Sequence, residues 1–358
     1  MGRRLFAAAS LIALIAAPAF AQQKAAPAYH APKNGWGQPD LQGTYTTATI
    51  TPLTRDPKYG TRNALTKEEA DSLEAATRAQ VARADAPTPP DAKVTDLKNA
   101  DCGPDGISGF NCGYNQGWKD PGTTLIDING EKRASIITSP ANGQFPPRVG
   151  AAANAQAQQR ARMRSRTDNP EGFSLGERCL LSFGSSAGPP MLPLMYNNTY
   201  QIVQSKDEVA IDVEMVHDVR HIRLTDKHLP PSMKVWMGDS IGHWEGDTLV
   251  VETTNMRPEQ GLRGGSANQR VIERFTRIGP NKLSYKFTVE DPDVYAAPFS
   301  GEVAMNATKG QVYEYACHEG NYALSGMLAG ARAEEQKAAS ARNTDNQASG
   351  GAKAGGGN

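Results

Sequence analysis

The chain has 358 residues, with 38 Lys+Arg against 38 Asp+Glu, 39% hydrophobic and 7% aromatic residues, 35 Gly, 24 Pro and four Cys. That length accommodates one large domain or two small ones. A formal net charge of zero, with no basic cluster beyond Arg3-Arg4, excludes the electrostatic footprint of a nucleic-acid-binding protein.

Residues 1–21 read as an export signal. Arg3-Arg4 form the charged start, Leu5 to Ala17 the apolar run, and Ala19-Phe20-Ala21 a small-x-small cleavage site before Gln22. The apolar run is too short for a spanning helix, so no membrane span is expected and the mature chain is expected to be soluble. Cleavage removes two Arg and leaves 36 positive against 38 negative groups, a net charge near −2. The expected location is periplasmic or secreted. The Arg-Arg-Leu-Phe order only partly resembles a twin-arginine signal, so Sec and Tat export both stay open.

In an oxidising space an even number of cysteines predicts disulfides. Of the three pairings that four Cys allow, Cys102 with Cys112 closes a short Gly-rich loop, and Cys179 with Cys317 ties the segment before the main β region to its end. The sharper alternative makes Cys317 a nucleophile with His318 as its base. Adjacent residues of a strand point to opposite faces, which argues against it.

Residues 22–34, Ala/Pro-rich, are expected to be flexible, 35–335 to form one β-rich domain, and 336–358 to be a disordered tail. The run from Gly35 through Tyr45 to Thr51 carries a first strand. Thr66 followed by Glu69 is a capping box that opens a helix through about Arg83, stopped by Ala86-Pro87-Thr88-Pro89-Pro90. Thr123 to Asp127 and Ala134 to Thr138 flank Asn129-Gly130, a hairpin-turn signal. A second helix is predicted over 151–164. The clearest pattern follows: Tyr200 to Gln204, Val209 to Leu224, Ile241 to Trp244, Thr248 to Thr253, Val271 to Ile278, Leu283 to Val289 and Val312 to Cys317 read as strands. A C-terminal helix is predicted from Gly320 to about Ala339, and there is no internal repeat. The fold expected is mainly β: an antiparallel meander forming a barrel or strongly curved sheet, with a few peripheral helices.

Along Val209 to Leu224, read as one strand, the odd positions are apolar with His217 and His221, and the even ones include Asp212, Glu214, Asp218 and Arg220. The inward face of a barrel meets either a packed core or a ligand cavity. The His217-x-x-x-His221 spacing suits a metal on a helix. On a strand the pair is roughly 13 Å apart, too far to share an ion, so no metal or other cofactor is expected, although His228, His243 or His318 could converge with one of them. Glu214, Glu252, Glu273, Glu290, Glu302 and Glu314 each lie in or beside an apolar strand, where a carboxylate needs a partner such as Arg220, Arg274 or Arg277. The bland reading is a set of structural ion pairs. The sharper one puts His217, Glu214, Glu252 and Arg220 in a cavity as acid, base and charge partner. Trp236, His243, Trp244, Tyr285, Glu290 and His318 are the candidate ligand contacts. Asp239-Ser240-x-Gly242-His243 lacks the elbow of a hydrolase triad and reads as a turn entering a strand. Gly261 to Gly265 reads as a loop rather than a phosphate cradle.

Several runs occur together in an order that resembles a family of exported bacterial proteins. They are Pro39-Asp40-Leu41-x-Gly43, Asn142-Gly143-x-x-Pro146-Pro147, Arg178-Cys179, Tyr196-Asn197-Asn198-x-Tyr200-x-Ile202, Gly238-Asp239-Ser240, Trp244-Glu245-Gly246-Asp247-Thr248-Leu249-Val250-Val251-Glu252-Thr253, Glu273-Arg274-Phe275, Thr288-Val289-Glu290-Asp291-Pro292 and Tyr313-Glu314-Tyr315-Ala316-Cys317-His318-Glu319-Gly320-Asn321-Tyr322. The resemblance spans most of 36–335 and implies export without assigning a reaction. The Cys102 to Cys112 loop departs from it as an addition, and Phe299 stands where the pattern has Trp. The Gly43-x-Tyr45 start before a long meander is also similar, at the level of fold, to calycin barrels such as lipocalins.

Three functions are compatible with this reading. The first is a cofactor-independent periplasmic lyase, isomerase or hydratase acting on a small, largely apolar or aromatic molecule by acid/base chemistry. The second is a non-catalytic carrier of such a molecule, and the third a metal-dependent hydrolase.

Overall fold

The computed structural model describes residues 29–87, 90, 119–154, 165–260 and 265–351. The export signal, the Cys102 to Cys112 loop and most of the helix predicted over 151–164 lie outside the described residues. Among the described residues there are twelve strands: β1 (Gly43–Thr46), β2 (Asp127–Ile128), β3 (Glu131–Lys132), β4 (Ile137–Ser139), β5 (Thr199–Gln204), β6 (Glu208–Val213), β7 (Asp218–Arg223), β8 (Asp239–Glu245), β9 (Thr248–Thr254), β10 (Arg270–Gly279), β11 (Lys282–Glu290) and β12 (Phe299–Ala307). Two α-helices lie among the described residues, α1 (Lys67–Ala84) and α2 (Tyr322–Gly351). None of the described helices is long and apolar enough to cross a membrane.

Strands β5 to β12 follow one another round a sheet, and β1 pairs with both β5 and β12, closing a nine-stranded barrel. Closure removes the exposed edges. The pairing is antiparallel except between β7 and β8, which meet in parallel through Ile222 with Ser240 and Arg223 with Ile241. β4 pairs with β12 at Ser300 and Gly301, ahead of the Asn306 and Ala307 that pair with β1, and β2 and β3 form the expected hairpin. Its turn residues Asn129 and Gly130 have φ of 54° and 86°, the left-handed pair that a two-residue turn requires. The capping box of α1 is present, with Thr66 and Glu69 exchanging hydrogen bonds.

Three strand predictions are corrected. Residues 209–224 are two strands, broken at Met215–His217, where Val216 and His217 adopt φ of 64° and 49°. The break shifts the phase. Val209, Ile211 and Val213 face inward on β6, whereas the even residues Arg220 and Ile222 are buried on β7. β12 is unmarked in the sequence because Gly301, Ala304 and Asn306 are poor strand formers. Gly301 is nevertheless required, since a Cβ there would lie 2.3 Å from the Phe287 ring. Val312 to Cys317 is not a strand but an extended strap without a ladder partner. Beyond it, α2 runs through Gly351, past the Ala339 at which the pattern ended.

The barrel interior is filled. Val251, Val271, Leu283, Phe275, Tyr285, Phe287 and Val303 are all at most 2% exposed, and Phe275 and Phe287 pack against Tyr285 with ring centroids 4.9 and 6.0 Å away. Residues 185–192 pack onto this core: Met191 N–H donates to the Tyr285 hydroxyl at 2.8 Å, and the Tyr200 hydroxyl donates to Ser186 O at 2.9 Å. A small barrel filled by its own side chains is a core rather than a container.

A second anchor lies outside the barrel. Arg55 is 2% exposed and donates to Ala141 O at 2.6 Å, Asn63 Oδ1 at 2.7 Å and Ser135 Oγ at 3.2 Å. No carboxylate bonds it among the described residues, and burial lowers its pKa. Gly143, with φ of 67°, lets the chain pass so close that a Cβ would stand 2.6 Å from that of Arg55.

Candidate functional site: a groove at the barrel rim

Among the described residues a large recess lies outside the lumen. It is a groove of 1190 Å³ between the barrel rim, the strap after β12 and the start of α2. Thr46 of β1, Thr199 at the start of β5 and Glu214 just past β6 form its floor, with Tyr313 and Tyr315 of the strap and Leu324 of α2 opposite. Chain connectivity alone would leave the strap free. It is held by a Cys179–Cys317 disulfide spanning 138 positions, by Asn321 donating to Glu177 O at 3.0 Å and by two contacts from the β6–β7 turn. In these, the Tyr313 N–H donates to Glu214 Oε1 at 3.4 Å, and His217 Nδ1 lies 3.0 Å from Tyr315 O. The disulfide confirms the expected pairing and removes the Cys317 nucleophile.

The turn that makes these contacts is strained. A β-branched residue at positive φ is a conformational outlier, costing about 1–3 kcal/mol, and Val216 holds that geometry while 4% exposed. The result is that Glu214 and His217, three residues apart, both reach the strap.

Glu214 stands out among the six carboxylates flagged in the sequence. Glu273 is fully buried but bonded to Arg220; Glu302 is buried and paired with Arg133 at 3.1 Å. Glu252 and Glu290 share Arg270, at 2.5 and 2.9 Å, and Glu314 is exposed. Glu214 is 5% exposed, and its oxygens receive only the Thr199 N–H at 3.2 Å and the Tyr313 N–H. Among the described residues no cation pairs with it. Asp120 lines the same groove, and its carboxyl is raised by the partial burial of the group and by the charge of Glu214. Two interacting carboxyl groups in a cleft, one pushed up, are the usual substrate of acid/base division of labour.

The other predicted residues are dispersed. Arg220 is 1% exposed inside the barrel, where it forms two hydrogen bonds to Glu273, and Tyr285 donates to the same carboxylate at 2.7 Å. Arg220 and Tyr285 are thus buried in the barrel interior and are not among the residues that line the rim groove. Glu252 belongs to an outward-facing ladder. His228 Nδ1 meets Asp239 at 2.8 Å and His228 Nε2 meets Glu252 at 3.3 Å, while Arg223 holds the other oxygen of Asp239. Arg270 lowers the Glu252 pKa, the opposite of what a general acid needs, and Glu290 ends the ladder. Trp236 lies under Arg257, whose guanidinium carbon is 4.4 Å from the ring. His243 is exposed beside Glu245 at 3.2 Å, Trp244 packs partly against the core and His318 is exposed on the strap. Ser240 bonds Thr253 at 2.8 Å while Asp239 bonds His228, so no triad forms. Among the described residues no group of three or more His, Cys, Asp or Glu is placed to hold a metal ion.

Asp120, Phe183 and Tyr196 were not anticipated as site residues. A signal existed for part of the groove, because the Tyr196-Asn197-Asn198 and Tyr313-Glu314-Tyr315 runs both line it. Comparison with known protein families, curated proteins and solved structures finds no match.

Proposed function

We propose that this is an exported protein that takes a small, largely apolar or aromatic molecule into the rim groove and transforms it by proton transfer, as a lyase, isomerase or hydratase. The observation that carries the reading is the buried, cation-free Glu214 beside a raised Asp120 in a 1190 Å³ groove. In this scheme one carboxyl of the Glu214 and Asp120 pair takes a proton from the substrate and the other returns one, so each turnover is proton-neutral once the pair re-equilibrates with water. His217 acts on the strap rather than on the substrate, through Tyr315 O, and is a positioning residue. Export agrees with the Cys179–Cys317 disulfide, which persists in oxidising compartments, and with the resemblance to exported proteins.

The test is incubation of the full mature chain with a library of small apolar and aromatic compounds, followed by mass analysis of products. Turnover lost in both Glu214→Gln and Asp120→Asn is the expected result. Ligands bound and recovered unchanged would make the protein a carrier using the same groove. Turnover that survives both substitutions would remove the acid/base assignment.

A further inference from the structure

We infer that the ligand of the rim groove is a cation, an amine or quaternary ammonium carried on an apolar or aromatic body. This rests on the groove being the site proposed above and adds the chemical class of what enters it.

The first observation is the charge of the walls. Asp120, Glu177, Glu214, Glu314 and Glu319 line the groove against Lys119. Glu177 is already bonded to Arg166 and to the Ser174 hydroxyl. The remaining four carboxylates form no ion pair among the described residues. An anion entering this space would meet net repulsion, strengthened by the low-dielectric walls that focus the field.

The second observation is independent of the charge count. Glu214 is 5% exposed, with backbone N–H groups as its hydrogen-bond partners and no counter-charge. A buried carboxylate in that state is costly, and an entering cation would complete the pairing that the chain itself omits. Third, the same space is walled by Phe183, Tyr196, Tyr313 and Tyr315. Aromatic faces and edges suit an apolar body, and a ring face attracts an ammonium group. Carboxylates and aromatic rings on one groove are the combination that separates an organic cation from both an inorganic ion and a neutral hydrocarbon.

The test uses three probes sharing one ring, phenethyltrimethylammonium, 2-phenylethanol and 3-phenylpropionate, titrated calorimetrically into the full mature chain. Ala323→Trp, on the exposed first turn of α2 that lines the groove, blocks the site without disturbing the core. The expected result is a cation bound at least about tenfold more tightly than the alcohol, the size of one to two kcal/mol of charge and ring attraction, with no binding of the anion. Glu214→Gln and Asp120→Asn should each erase most of that preference while leaving the alcohol unchanged, and Ala323→Trp should abolish binding of both. Equal binding of cation and alcohol, both lost in Ala323→Trp, would overturn the charge inference and leave the groove reading intact. Absence of binding by all three probes, or binding indifferent to Ala323→Trp, would overturn both.

Discussion

Arg220 and Glu273 face each other across the barrel interior with two N–H···O bonds of 2.8 and 2.6 Å, and neither is more than 1% exposed. The pair, with Tyr285 donating to Glu273, occupies the space where a calycin-type barrel holds its ligand. Removing either partner strands a buried charge. Arg220→Met or Glu273→Gln should cost about 3–5 kcal/mol, and the double change to well-packed apolar residues should recover most of it. Urea unfolding of the three variants checks this; equal losses in single and double variants would contradict it.

The Cys179–Cys317 disulfide closes a span of 138 residues, for which chain entropy suggests about 5 kcal/mol. Replacing both cysteines by Ala should lower stability by an amount of that order and free the strap, so that groove binding falls while the far-ultraviolet circular dichroism of the barrel is kept. Binding that persists at full strength in the double variant would show that the strap is held by its hydrogen bonds alone.

Asp218 gives a pH signature. Burial raises its carboxyl to about 6, partly offset by the Ser182 N–H and by His217. The folded value is above the unfolded one, so its contribution to stability is fully present below pH 4 and is lost as the pH rises through 6. Asp218→Asn, which retains an acceptor for Ser182, should therefore match the parent chain at pH 3.5 and exceed it at pH 7 by on the order of 1–3 kcal/mol. Thermal melts across that range measure the difference, and a constant offset between the two chains would refute the assignment.

Within the ladder of Glu290, Arg270, Glu252, His228 and Asp239, the carboxylates Glu252 and Asp239 should behave in the opposite way. Arg270 lowers Glu252, and for Asp239 burial is outweighed by the Leu229 N–H and Arg223. Glu252 and Asp239 therefore stabilise the fold above their unfolded pKa values and stop doing so as acid protonates them. Glu252→Gln should cost about 1 kcal/mol at pH 7 and leave groove binding unaltered. Loss of binding in Glu252→Gln, with stability kept, would return Glu252 to the site.

The sequence made the barrel legible because β11 alternates, Leu283, Tyr285, Phe287 and Val289 against Ser284, Lys286, Thr288 and Glu290, and because the turns before β9 and β11 carry Gly246 and Gly279-Pro280-Asn281. It hid the β6–β7 turn, because Met215-Val216-His217 has no turn former. Strain at Val216 is tolerated through tertiary contacts that no local propensity reports, and reading through that turn set Arg220 on the face opposite Val209, Ile211 and Val213, whereas all four are buried. The site was half visible. Glu214 was marked as a carboxylate beside an apolar strand, but ladder partners such as Arg270 and Arg133 follow from strand order, which one sequence does not reveal. Asp120 gave no signal because its raised carboxyl depends on burial in the folded chain and on Glu214, a neighbour 94 positions away.

The central claim is that small molecules enter the rim groove and not the lumen. Affinity selection of a small-molecule library on the mature chain and on Ala323→Trp, read by mass spectrometry, tests it most directly. The account predicts ligands retained by the parent chain and absent from Ala323→Trp. The same ligands retained by both chains, or none retained by either, would contradict it.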